Sequence, residues 1–261
     1  QGVEWRQNEQ VYIARGNATA KRGDTTIRAD ALHAHYRKTQ DNRQEIYKIT
    51  AEGAVKITTP KETITSDTAE YAVETSIFTL KGRPVQIDSG KSTLTAALVV
   101  YNSKSKVANV TGGAQVTEEK KRVRADRFVA FFKEEGGKQS LKRVEAFGNV
   151  VITTPTEIAR GNKGDYDAES QVATLSGNVR LTRGDNQLNG DRAEVNMKTG
   201  ISKLLADDGP ATASRTNPSE GRRVRVLIMP GQADSGKGPL DIPTPGAENK
   251  GIGRTEQKPK R

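Results

Sequence analysis

Cysteine is absent from the 261 residues, which excludes disulfide staples, thiolate zinc sites and cysteine nucleophiles. Aromatic residues make up only 5% of the chain and apolar residues 33%. A compact globule of this size buries a deep core and uses more of both. The low values fit a thin, elongated body whose units each bury a narrow apolar face against their neighbours. Long apolar runs are missing too. Ala96 to Tyr101 and Phe128 to Phe132 are the longest, far short of the about 18 residues of a membrane-spanning helix, and they suit strands. Proline is nearly absent from the first 209 residues, at Pro60, Pro84 and Pro155 only, each where a strand is expected to end. The chain begins with Gln1 rather than Met, which a removed signal peptide explains.

What is present is charge and repetition. The net charge is +10, with ten Lys and Arg against five Asp and Glu in residues 210–261 and 32 against 27 in the rest. Such a balance points to an anionic partner. No aromatic-basic stacking motif accompanies it, which disfavours nucleic acid and leaves anionic lipid or glycolipid.

A glycine followed by alternating apolar residues, then a turn, then an apolar residue and a small residue leading to Asp, recurs six times. The first copy runs from Gly16-Asn17-Ala18 to Ile27-Arg28-Ala29-Asp30, the second from Gly53-Ala54-Val55 to Ile64-Thr65-Ser66-Asp67. The others start at Gly82, Gly112, Gly148 and Gly177. The third copy has Ala97 in the Asp place, and the fifth reads as Ile158-Ala159-Arg160-Gly161-Asn162 with one residue inserted. The glycine spacings are 37, 29, 30, 36 and 29 residues, so a three-unit block of about 95 residues occurs twice. Residues 51–62 match 146–157 at eight of twelve positions.

Each unit predicts two strands by its period of two, with Val55 and Ile57 on one face and Lys56 and Thr58 on the other. The recurring Gly fits a bend or a close backbone approach, and the recurring Asp fits a corner where its oxygens accept from nearby backbone N–H groups. No segment of the repeats has a helical period; Ser66 to Glu74 comes nearest but is rich in Thr and Tyr. The expected organisation is an N-terminal segment 1–10, a repeat body 11–209 in halves 11–111 and 112–209, a linker and last strand in 210–230, and a basic Pro/Gly-rich disordered tail 231–261.

Catalytic chemistry has no foothold: no nucleophile-base or phosphate-loop signature is present. His33 and His35 with Asp30 are weak metal candidates, because a third firm ligand is missing. One Asp per repeat is too sparse for calcium loops. No metal and no cofactor is expected.

The motif Gly-Asn-Val-x-Leu/Ile, turn, Ile/Leu-x-Ala/Gly-Asp resembles the OstA-like family of lipopolysaccharide-transport proteins, the LptA family. Gly16-Asn17 to Asp30, Gly148-Asn149-Val150 and Gly177-Asn178-Val179 to Asp191 carry the resemblance, together with the ending Arg223-Val224-Arg225-Val226-Leu227-Ile228-Met229-Pro230. It covers roughly residues 11–230. The resemblance implies an all-β antiparallel jellyroll of two V-shaped sheets in the periplasm. An apolar groove between them would hold the acyl chains of lipid A, and the chain would bridge inner- and outer-membrane components through LptC-like and LptD-like domains or other copies of itself. On that basis Ile57, Ile64, Val85, Ile87, Leu94, Val150, Ile152, Val179, Leu181 and Leu188 are the candidate groove. Val11, Tyr12 and Ile13 at one end and Val224, Val226 and Ile228 at the other are the candidate edge strands for head-to-tail pairing. The same periodicity would also suit a structural β-solenoid scaffold or adhesin with a filled interior and no lipid.

Overall fold

The computed structural model describes residues 2–205 and the short strand 225–227. Every regular element among them is a strand. In chain order these are β1 Gly2–Arg6, β2 Val11–Arg22, β3 Thr25–Lys38, β4 Gln44–Thr58, β5 Thr63–Ala72, β6 Ile77–Asp88, β7 Ser92–Asn102, β8 Val107–Glu118, β9 Lys121–Glu135, β10 Lys138–Thr153, β11 Ile158–Asp167, β12 Val172–Arg183, β13 Asn186–Asn196, β14 Ser202–Leu205 and β15 Arg225–Leu227. They form one antiparallel sheet in which β1 to β14 lie in sequence order, with β15 added against β13. The turn chemistry explains the meander: β2 and β3 join through Gly23-Asp24, and β12 and β13 through Gly184-Asp185, short glycine turns of the hairpin kind. The segment nearest to a helix in composition falls in β5, as its repeat position requires.

The pairing register slips in the middle of the strands. Between β4 and β5 it jumps from Glu52 to Val55, between β8 and β9 from Thr111 to Ala114, and between β12 and β13 from Ser176 to Val179. The skipped residues are the recurring glycine and its successor, both left-handed: Gly53 and Ala54 at φ 75 and 43°, Gly148 and Asn149 at 72 and 47°. Two left-handed residues in succession form a bulge that turns the strand sharply. Stacked across the sheet, these bulges make a crease that divides it into two arms. The third repeat solves the same corner differently: its register jumps from Lys81 to Val85, with a cis Arg83–Pro84 peptide and no left-handed residue between.

The crease explains the recurring Asp as well. A Cβ on Gly53 would lie 2.2 Å from Asp30 Oδ2, and one on Gly148 would lie 2.2 Å from Asp126 Oδ2. The Asp of one repeat therefore occupies the space left free by the glycine of the next strand. Its partner at Asp126 is the side-chain amide of Asn149, donating at 2.9 Å, rather than the local backbone N–H groups expected from sequence. The register also removes the insertion read into the fifth repeat. Ala159 pairs with Ile152 as Ile64 pairs with Ile57, so Ala159, and not Ile158, takes the inward place, and Asn162 stands where Asp67 does.

Val85 and Ala114 are 0% exposed and Val55 1%. A single sheet with no helix against it can bury one face only under a second layer, and that layer is the other arm. The two V-shaped sheets expected from sequence are thus two arms of one continuous sheet. At the N-terminal margin β1 pairs with Val11 to Arg15 of β2. Val11, Tyr12 and Ile13 are therefore not an edge, as the sequence had led us to expect, because the preceding five residues form one more strand. Residues 17–22 of β2 have no partner on that side among the described residues. At the other margin β14 pairs with Arg192 to Val195 and β15 with Gln187 to Asn189, Val226 lying opposite Leu188. Val224, Ile228 and the tail 231–261 lie outside the described residues.

Replacing Gly148 with Ala should therefore destabilise the fold by about 2 kcal/mol, through backbone strain and the clash with Asp126. Adding Asp126→Ala relieves only the clash, so chemical denaturation of the double variant should show less than the sum of the two single losses.

Candidate functional site

All ten candidate groove residues fall on the inner face of the arm that carries the Gly23-Asp24 and Gly184-Asp185 turns. The register lines them up: Ile57 opposite Ile64, Ile64 opposite Ile87, Ile87 opposite Leu94, Ile152 beyond Val123, and Leu181 opposite Leu188. Val85, Val150, Val179, Leu181, Ile152 and Ile57 are buried, while Ile64, Ile87, Leu94 and Leu188 are partly exposed and pack against them. Apart from Ser66, whose buried hydroxyl opposite Val55 has no hydrogen-bond partner among the described residues, this inner face is aliphatic.

The opposing arm supplies the other wall, and the sequence reading missed it. Leu32, Leu80, Val99, Val110, Phe128, Leu175 and Val195 belong to the same continuous apolar cluster. The signal was there to be read, since Leu32, Ala69, Val99 and Phe128 each stand two residues after the recurring Asp position, while Leu80, Val110 and Leu175 stand two before the recurring Gly. Period two simply continues through the crease on both strands.

All twelve aromatic residues of the chain lie on this second arm or on β1, which extends it. Several line its outer lip. Trp5 stacks on Tyr12 with ring centroids 5.9 Å apart, and its Nε1 donates to Tyr36 Oη at 2.8 Å. Further along, Tyr71 stacks on Phe78 at 4.2 Å, and Tyr101 meets the edge of Phe132 at 5.9 Å. Tyrosine and tryptophan suit such a boundary, with an apolar body and a polar tip. The interior is thus bounded by an aliphatic wall and a wall ending in an aromatic rim.

Polar contacts tie the two lips together in the C-terminal half. Lys121 Nζ, at the start of β9, donates to the Met197 carbonyl after β13. Glu157, only 8% exposed, accepts from Arg183 Nη2 at 3.0 Å and from the Ser202 hydroxyl of β14. The turn that presents Glu157 recurs in the first half: Thr154 N–H donates to Glu157 O, and Thr59 N–H to Glu62 O, both at 2.9 Å. In the first half the place of Arg183 falls by register to Ser89, because Asp88 pairs with Thr63 as Thr182 pairs with Ile158. Glu62 therefore has no cation at that place among the described residues, and burial pushes its carboxyl above the usual range, opposed only by the charge of Lys61.

His33 and His35 sit side by side on the outer face of β3, ring centroids 6.3 Å apart. Desolvation first, then the charges of Lys48 and His33, lower the His35 value. Asp30 packs at the crease against Gly53 rather than toward them. Among the described residues no group of three or more His, Asp or Glu is placed to hold a metal ion.

The Glu62 carboxyl is harder to ionise folded than unfolded, so its ionisation weakens the fold as pH rises through the raised value and has no effect below the unfolded one. Glu62→Gln should accordingly raise the melting temperature at pH 7 and leave it unchanged at pH 3, as differential scanning calorimetry will register.

A family profile described as LptA/(LptD N-terminal domain) LPS transport protein matches the chain twice, over residues 1–107 and 93–201. The comparison with curated proteins found no match. Among solved structures, the chain is similar to LptH, the LptA homologous periplasmic component of the conserved lipopolysaccharide transport device from Pseudomonas aeruginosa. That similarity has 15% identity over 65% of this chain and 95% of that one, with a TM-score of 0.28. So low a TM-score carries no weight beside the profile, whose two matches together span most of the sequence. The chain belongs to the LptA/(LptD N-terminal domain) family of LPS transport proteins.

Proposed function

We propose that this protein works in the periplasm as a carrier segment of a lipopolysaccharide bridge, sheltering lipid A acyl chains between its two arms. The observation that carries this is the apolar interior, which continues from strand to strand through the whole sheet without a buried ion pair crossing it. Acyl chains need a dry, non-directional environment, and the aliphatic wall offers one. The aromatic rim suits the boundary where sugars and phosphates meet water. With Val85 and Val179 at 0 and 2% exposure, the arms lie closed. Lipid entry then requires them to part about the crease, where each strand already bends.

The two profile matches and the repeated Thr-Pro turns support two tandem halves, 11–111 and 112–209, each contributing to one continuous interior. Assembly would use the sheet margins. Residues 17–22 of β2 offer an unpaired edge to another family domain, LptC-like, LptD-like or a second copy, by strand addition. β15, the last strand on the same arm, offers the other.

Photo-crosslinkers at Ile57 and Val179 should capture lipopolysaccharide, whereas crosslinkers at the outward-facing Thr50 and Thr174 should not. Equal capture at all four, or none, overturns the carrier proposal, and no capture by a well-folded protein favours the filled scaffold. For assembly, light scattering should show oligomers growing with concentration, because a heterologous contact does not close. A strict monomer at high concentration that also binds no other family domain overturns the bridge.

A further inference from the structure

We propose that the outer face of the aliphatic arm is a docking surface for an anionic phospholipid bilayer. The face is defined by one cross-strand row, two residues outward from the crease. It runs from Arg28 of β3 and Lys56 of β4 to Arg124 of β9, Arg160 of β11 and Arg180 of β12, the places between filled by Thr, Gln and Val. The row holds five cations and no carboxylate, and all five side chains are exposed.

Two features separate this row from an ordinary solvated face. Arg28 lies directly opposite Lys56, and Arg160 directly opposite Arg180. Like charges at directly opposed positions destabilise a sheet, and both pairs sit at that disfavoured geometry. Among the described residues none of the five has an ion-pair partner. On the aromatic arm some cations are held in ion pairs, as in Arg143 with Asp165 and Lys106 with Glu134, while Lys48, Lys81 and Lys163 stand singly. What sets the aliphatic arm apart is the row itself, with two pairs of cations directly opposed.

The chemistry of the face chooses the occupant. Guanidinium groups pair with phosphate in a bidentate manner, and the hydroxyls of Thr65 and Thr95 in the same row add donors to a plane of phosphates. Single-stranded nucleic acid binds by stacking on aromatic side chains, and every aromatic residue lies on the other arm or on β1. A broad sheet face with several cations in line matches the surface of an anionic leaflet, to which each nearby Lys or Arg adds attachment.

The test is flotation of the full chain with phosphatidylcholine vesicles, with and without phosphatidylglycerol, no lipopolysaccharide being present. The wild-type protein should float only with the anionic vesicles, and high salt should release it. Arg124→Gln/Arg160→Gln/Arg180→Gln should weaken binding about tenfold or more. Lys48→Gln/Lys81→Gln/Lys163→Gln, the same charge change on the outer face of the aromatic arm, should leave it within about twofold. Circular dichroism checks that both variants keep the sheet. Absence of wild-type flotation, an equal loss in both variants, or no loss in the first overturns the proposal. So does release by an oligonucleotide at equal phosphate concentration, which would make the face a general polyanion site.

Discussion

The crease is the constraint on which the rest of the structure depends. Where the recurring glycine and its successor are left-handed the strand turns, and the residue at the recurring Asp place of the neighbouring strand, Asp30 at Gly53, Asp126 at Gly148, Asn162 at Gly177 and Ala97 at Gly112, fills the space a Cβ would need. Without that bend there would be one flat sheet with an apolar face open to water, and a lone sheet of this kind recruits other chains. With it, the sheet becomes its own second layer. This is how a chain with so few apolar residues still brings Val55, Val85, Val150 and Val179 nearly out of contact with solvent.

The bend also separates two chemistries along each strand. Residues on the turn-bearing side are aliphatic inside and basic or hydroxylic outside. Those on the other side carry aromatic residues such as Phe78, Tyr101 and Phe128 inside, and ion pairs outside, where Phe131 and Phe147 lie under Arg143 and Arg127. A single repeat motif thus writes four surfaces, an inner and an outer one on each arm, and each surface is continuous because consecutive strands are neighbours. The two halves differ where their equivalent residues differ. Glu157 is held by Arg183 and Ser202, whereas in the first half the place of Arg183 is taken by Ser89.

Much of this was legible beforehand, for reasons that can be named. Period two in Val55-Lys56-Ile57 announces a strand with one buried face, and turns such as Arg22-Gly23-Asp24 fix where it reverses. The aliphatic wall followed directly, because its residues sit between a recognisable Gly and a recognisable Asp. The opposite wall was overlooked because Leu32, Val99 and Phe128 lie in stretches without a recurring signature, though the alternation passes through them unbroken. β1 was overlooked because Val3 and Trp5 alternate too briefly to stand out, and only the pairing with Val11 to Arg15 reveals them as a strand. The role of the recurring Asp could not be read at all, since its neighbour, the next repeat's glycine, is distant in sequence and meets it only through the ladder.

That ladder has an evolutionary and kinetic consequence. Because β1 to β14 pair in strict chain order, no strand waits for a distant segment in order to find its place. Closing each hairpin costs only a short loop, which keeps the entropy of every step small. Growth can begin at any turn and spread in both directions, as in other quasi-one-dimensional proteins. The same locality makes length a variable: two strands can be added or lost between any pair of turns, and the remaining bulges still stack into one crease. The length of such a protein can thus be set simply by counting hairpins.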